Sequence, residues 1–249
     1  MNRWLFIFGL FCLTAWTAAA DALVEAYSRG NQAFADGALE EAVAAYEAAL
    51  THGESANLHF NLANAYAGLE RWGPAVLHYH KALALNPQHR DARVNLHLIR
   101  GEIGVAQASP DVWQRWAETL PLTLWIVAGS VAFWVLLALW GLLRKRFHAP
   151  RIRAILTLIA LPVLLATFPA LYGYHIAAKV GIVMADAVAL RVAPTGQSPT
   201  STTLNAGSQA TIRRVVNNFY LVELPTGEEG YLTPSEIVPV WDSAPTPNL

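Results

Sequence analysis

The residues best suited to chemistry are eight histidines, one cysteine and two adjacent pairs of acids, and their spacing decides what they could do together. His78 and His80 stand two apart in a helix-prone stretch. That step carries the second imidazole round to another helix face, which is wrong for holding one metal ion jointly. Cys12 is the only cysteine, so neither an intrachain disulfide nor a thiolate cluster can form. Glu40-Glu41 and Glu228-Glu229 read as solvated charges on a helix and a turn. No nucleophile lies near a base in a recognisable pattern, and no glycine-rich loop suits a phosphate. No Asp, Glu, Lys, Arg or His lies inside either membrane-spanning candidate, and His175 sits at the edge of the second. The reading is a non-enzymatic protein that needs no cofactor and no metal.

The elements that carry these residues are shaped first by lipid. The 249 residues are 54% hydrophobic and 14% charged, against roughly a quarter charged in soluble domains. A net charge of -1 gives no reason to expect a nucleic-acid partner. Arg3, an apolar run and Ala18-Ala19-Ala20 follow the order of a secretory signal over residues 1–20, with an uncleaved anchor as the alternative. Residues 120–143 and 154–173 contain no Asp, Glu, Lys or Arg. As helices at 1.5 Å per residue they measure about 36 and 30 Å, enough to cross a hydrocarbon core of roughly 30 Å. Pro162 and Pro169 should kink the second span. Residues 107–119, with Ser109-Pro110 as a helix start and Trp113 and Trp116 within, read as an interfacial linker or helix.

Between the spans, residues 144–153 hold Arg144, Lys145, Arg146, Arg151 and Arg153 without an acid. Positive charge marks the cytoplasmic side, so this loop should face the cytoplasm and both soluble parts the outside. That placement is the inner membrane of a bacterium, with membrane lipid around the spans.

Residues 21–106 contain an internal repeat. Ala42/Ala75, Tyr46/Tyr79 and Ala49/Ala82 are each 33 apart, and Asn61-Leu62 returns as Asn95-Leu96 at 34. Within each copy the alanine, tyrosine and alanine fall four and three apart, on one helix face, where small residues let a partner helix approach. Gly37 permits the turn in the first copy, Asn86-Pro87 closes the second, and a helix over residues 90–105 should cap the array. This pattern resembles the tetratricopeptide repeat. The resemblance implies a ligand groove lined by the first helix of each repeat, which places Tyr27, Asn31, Phe34, Phe60 and Asn64 in a protein-binding site. Asn31 and Asn64 stand where an amide can bond an extended peptide backbone. The alternative is that the aromatics pack within the hairpins and the asparagines only cap or solvate. Relatives that grip a C-terminal carboxylate carry lysine where Tyr27 stands, which argues against that mode.

From Gly181 short β-prone runs alternate with Gly, Pro and Thr, as in a small barrel. Over residues 180–240 the order L-R-x-x-P, L-x-x-G, G-x-x-G-Y and a closing apolar strand resembles bacterial SH3-like domains, with Tyr231 where a tryptophan is usual. Arg191, Tyr220 and Tyr231 could touch a ligand there, but each also has an adequate structural role. Residues 241–249 read as a loose tail.

The expected fold is thus a multidomain α + β membrane protein: an α-helical repeat array, a two-helix transmembrane hairpin and a small all-β SH3-like barrel. That order is similar to the E-type proteins of the Bacteroides aerotolerance (Bat) operons. The resemblance implies an envelope stress-tolerance complex with von Willebrand A-type Bat membrane proteins as partners. Two other readings predict different partners: a cell-wall sensor would bind peptidoglycan through the barrel, and a transporter accessory subunit would bind a multi-span protein.

Overall fold

The computed structural model describes residues 21–105, 111–142, 150–177 and 179–241. Residues 1–20, the segment read as a signal, and 242–249, most of the segment read as a tail, lie outside them. So do Arg144, Lys145 and Arg146.

The N-terminal part is a stack of helices: α1 (residues 21–35), α2 (Leu39–Leu50), α3 (Ala56–Gly68), α4 (Trp72–Leu85) and α5 (Arg90–Glu102). Alanines make the close approach. Ala42, Ala49, Ala75 and Ala82 are fully buried, with Tyr46 and Tyr79 filling the space beside them. The turn between paired helices needs a left-handed residue, which is Gly37 at φ 77° in the first pair. In the second pair the equivalent position is Glu70 at φ 57°, a conformation that strains a residue with a Cβ. Ser55 opens α3 by accepting from the Leu58 amide, and His89 opens α5 by accepting from that of Ala92. The terminal helix starts where the sequence places it and ends at Glu102.

The middle of the chain holds α6 (Val112–Ala117), α7 (Leu122–Leu137, continued by a π turn at Ala138–Leu142) and α8 (Pro150–Ala177). Asp111 caps α6, and its amide donates to Gln114 Oε1 at 2.9 Å, which completes a capping box. Leu122–Trp140 and Pro150–Ala177 are long and apolar enough to cross a membrane. Their outward faces leave Ile126, Val131, Trp134, Leu158, Ile159 and Phe168 exposed, so neither is the hidden core helix of a globular domain. Gly129 lies against Thr167 where the two helices cross.

α8 differs from expectation at both ends. It begins at Pro150, so Arg151 and Arg153 lie on its first turn and not in a loop. Proline suits a first helical position, where its missing N–H would have no partner. The Arg153 guanidinium stacks over Trp140, 4.7 Å from the ring centroid. Pro162 and Pro169 both sit inside α8, within one continuous helix.

The C-terminal part is a seven-stranded antiparallel sheet in the order β3-β2-β6-β5-β4-β1-β7. Its strands are β1 (Val180–Val183), β2 (Val188–Arg191), β3 (Thr200–Leu204), β4 (Gln209–Val216), β5 (Phe219–Glu223), β6 (Glu229–Leu232) and β7 (Ile237–Pro239). The hydrogen-bonded order is open, with β3 and β7 as edges, where the sequence suggests a closed barrel. Asn217 and Asn218, at φ 47° and 63°, make the two-residue turn between β4 and β5.

The helices and the sheet share a core. Val180, Ile182 and Val240 join the buried cluster of the helical stack, while Val183 belongs to the sheet's own cluster. Contact is closest at Gly73 of α4, where a Cβ would come within 2.5 Å of the Met184 carbonyl oxygen.

Candidate protein-binding groove

The amides of α1, α3 and α5 line up in a ladder with phenols from α1, α2 and α4. The Tyr46 hydroxyl donates to Asn31 Oδ1 at 2.8 Å. Asn61 Nδ2 donates to the same oxygen at 3.0 Å and to the Tyr27 hydroxyl at 2.9 Å. One repeat further on the pattern returns: the Tyr79 hydroxyl donates to Asn64 Oδ1 at 2.5 Å, and Asn95 Nδ2 donates to it at 3.0 Å. Each asparagine oxygen thus ties the second helix of its own repeat to the first helix of the next. Burial raises the Tyr46 phenol to about 12, with Tyr27 adding to the shift against the Asn61 bond, so this phenol stays a donor throughout the neutral range. Burial also raises that of Tyr79.

Among the described residues, Nδ2 of Asn31 and Nδ2 of Asn64 have no partner, and neither is a buried orphan. Each amide therefore has its acceptor occupied and its donor available. The aromatics divide between packing and exposure. Tyr27 lies 6.0 Å from Tyr46 between ring centroids, and Phe60 lies 6.1 Å from Tyr79 and 4.8 Å from His89. Phe34 is 39% exposed. The five residues proposed from the sequence occupy α1 and α3 as placed. Asn61 and Asn95 were not among them, although their 34-residue recurrence was visible, because an Asn-Leu pair alone does not reveal which oxygen it will meet.

The histidines separate as their spacing requires. His78 stacks on His59 and Tyr66 of α3, whereas His80 faces Arg100 of α5. No group of three or more His, Cys, Asp or Glu is placed to hold a metal ion among the described residues. In the sheet, Arg191 makes a bidentate pair with Glu236 at 2.8 and 2.9 Å, and Tyr220 is buried. Two of the three residues considered for a ligand there are committed to the sheet's own structure.

A family profile for the tetratricopeptide repeat matches residues 56–89, which span α3, α4 and the turn that follows. Neither the curated proteins nor the solved structures give a match. The chain contains a tetratricopeptide repeat, a module that suits a protein–protein interaction scaffold.

Proposed function

We propose that this chain is a membrane-anchored scaffold that holds an extended segment of a protein partner against α1, α3 and α5. The observation that carries the reading is the amide ladder, in which Asn31 and Asn64 spend their oxygens on the fold and keep their Nδ2 donors free at one repeat's spacing. An extended backbone offers carbonyl oxygens that such donors can meet, and exposed Phe34 adds an apolar contact beside them. The two apolar helices fix the array at a bilayer, with both soluble parts outside the cytoplasm. The sheet's strand count and its L-R-x-x-P and G-x-x-G-Y runs support an SH3-like module. Together the repeat array, the helix pair and the sheet support a place beside von Willebrand A-type partners in a Bat-type envelope complex.

Substitution can separate fold from binding. Asn31→Asp/Asn64→Asp keeps the acceptor oxygens and removes the donors, whereas Asn31→Ala/Asn64→Ala removes both. The aspartate variant should keep a thermal midpoint near wild type and yet lose its partners in a gentle-detergent pull-down read by mass spectrometry. The alanine variant should lose partners and also about 1–2 kcal/mol of stability, from hydroxyl and amide groups left unpaired. Equal recovery of partners by wild type and the aspartate variant would remove the groove from the function. Peptidoglycan-linked proteins recovered in place of von Willebrand A-type ones, unchanged by either variant, would favour the cell-wall reading.

A further inference from the structure

A second site lies away from the groove, where the helical stack, the short helix α6, the end of α8 and the sheet meet around a cavity of about 700 Å³. That volume is in the range of small-molecule sites. Three guanidinium groups line it: Arg93 and Arg100 from α5, and Arg115 from α6. Arg100 is 5% exposed. Its Nη2 donates to Gln209 Oε1 at 2.9 Å and lies 2.6 Å from His80 Nε2, while its Nε finds no partner among the described residues. Both partners are neutral: burial first, and then the nearby Arg100 cation, lower His80 to about 3. No carboxylate pairs with Arg100 among the described residues.

A buried cation without a counter-ion is costly and normally has a partner. Burial lowers Arg100 to about 10, which still leaves it charged at neutral pH. Neither lining acid forms a salt bridge with a guanidinium group among the described residues. Asp111 spends Oδ1 on the Val112 amide, and Glu118, raised by burial, is held back mainly by Arg93. The Arg115 guanidinium makes no hydrogen bond among the described residues, its backbone amide alone donating to the Asp111 carbonyl. Three guanidinium groups therefore face two carboxylates across the space, and among the described residues neither Arg100 nor Arg115 is in a salt bridge.

We propose that this cavity binds a phosphate oxyanion through Arg100 and Arg115, with Gln209 keeping the Arg100 fork in place. Guanidinium groups match phosphate oxygens in pairs, and the burial of Arg100 strengthens the match. The phosphate could come from the headgroup of an anionic lipid or from a free ion. Position favours the lipid: Gly173 and Tyr174 at the end of α8 line the cavity, and Trp113 and Trp116 stand exposed on adjoining α6.

The full chain in neutral detergent, offered equal phosphatidylglycerol and phosphatidylcholine, tests this by native mass spectrometry. Wild type should retain phosphatidylglycerol over phosphatidylcholine by about fivefold or more, near 1 kcal/mol of preference. Arg100→Gln and Arg115→Gln should each bring the ratio towards one. Arg115 is exposed and its side chain makes no bond among the described residues, so its variant reports on binding even if Arg100→Gln fails to fold. Arg151→Gln/Arg153→Gln, roughly 35 Å away at the opposite end of α8, should keep the preference. Inorganic phosphate serves as the second probe. Thermal stabilisation by phosphate that needs Arg115, without any lipid preference, would support the site and assign it to a soluble anion. A lipid preference that survives both cavity substitutions, or no response to either probe, would overturn the proposal.

Discussion

His59 and His78 meet between α3 and α4 with their Nδ1 atoms 2.9 Å apart and their rings stacked. One nitrogen must donate and the other accept, so at least one ring must stay neutral for the contact to hold. Glu54, 3.9 Å from His59 Nε2, favours the tautomer in which His59 carries its proton there and accepts from His78 Nδ1–H. Tyr66 covers His78 from the other side, its hydroxyl donating to Glu47. Burial is the largest cause lowering both imidazoles, His59 to about 4 and His78 to about 3. Nearby Lys81 works in the same direction on each, and His59 also on His78. Below the free imidazole value of 6.5 the unfolded chain takes up protons that the folded chain refuses, so stability falls as pH drops and levels off only near pH 3–4. At pH 5 the loss should be on the order of 2 kcal/mol for each ring. Thermal midpoints measured between pH 7.5 and 5 should show it, and His59→Leu/His78→Leu should flatten most of the dependence, leaving the share of His80. A wild-type midpoint that stays level over this range would contradict the shared-proton geometry.

At the scale of elements, close approach sets the architecture. Gly73 lets α4 lie against the chain just beyond β1, where a methyl group would press on the backbone of Met184 and not on a side chain able to turn aside. Gly73→Ala should therefore separate the sheet from α4 and destabilise the chain by about 1–3 kcal/mol. Limited proteolysis in the stretch between α8 and β1 should become faster; an unchanged cleavage rate and midpoint would show that the interface yields without cost. This interface was hidden in the sequence. Strand β1, Val-Gly-Ile-Val, is buried at every position because it serves two cores, so it lacks the alternation that marks a half-exposed strand. The helical repeat was legible because its signal is local and doubled: two copies of Ala-Tyr-Ala at 33 residues can hardly mean anything but stacked hairpins. α8 starts four residues before the apolar span because Pro150 is a natural first residue of a helix, which the apolar composition alone does not register. The groove asparagines were placed on the right helices, but that their oxygens belong to the fold and their nitrogens do not depends on contacts 15 to 31 residues away.

For the molecule as a whole, the helices themselves bear on which side of a membrane each part occupies. The α6 segment packs on the last turns of α8, where Gly173 touches the Trp113 carbonyl, and the Tyr174 hydroxyl donates to the Leu120 oxygen just before α7. The entrance to α7 and the exit from α8 are therefore at one end of the pair. The helical stack precedes that end, and β1, which follows it, shares the stack's core. Both soluble parts consequently lie on one side of any bilayer the pair crosses, and Arg151 and Arg153 mark the other end. This does not use the charge rule, yet it pairs the same segments; the charge rule adds which side is the cytoplasm. In a Cys12→Ser background, an impermeant maleimide applied to intact spheroplasts should label Ser28→Cys on α1 and Ser235→Cys before β7, both exposed positions. His148→Cys, between the two helices, should react only after permeabilisation. Labelling of His148→Cys alone would invert the orientation, and labelling of only one of the two outer positions would break the shared core that joins the stack to the sheet.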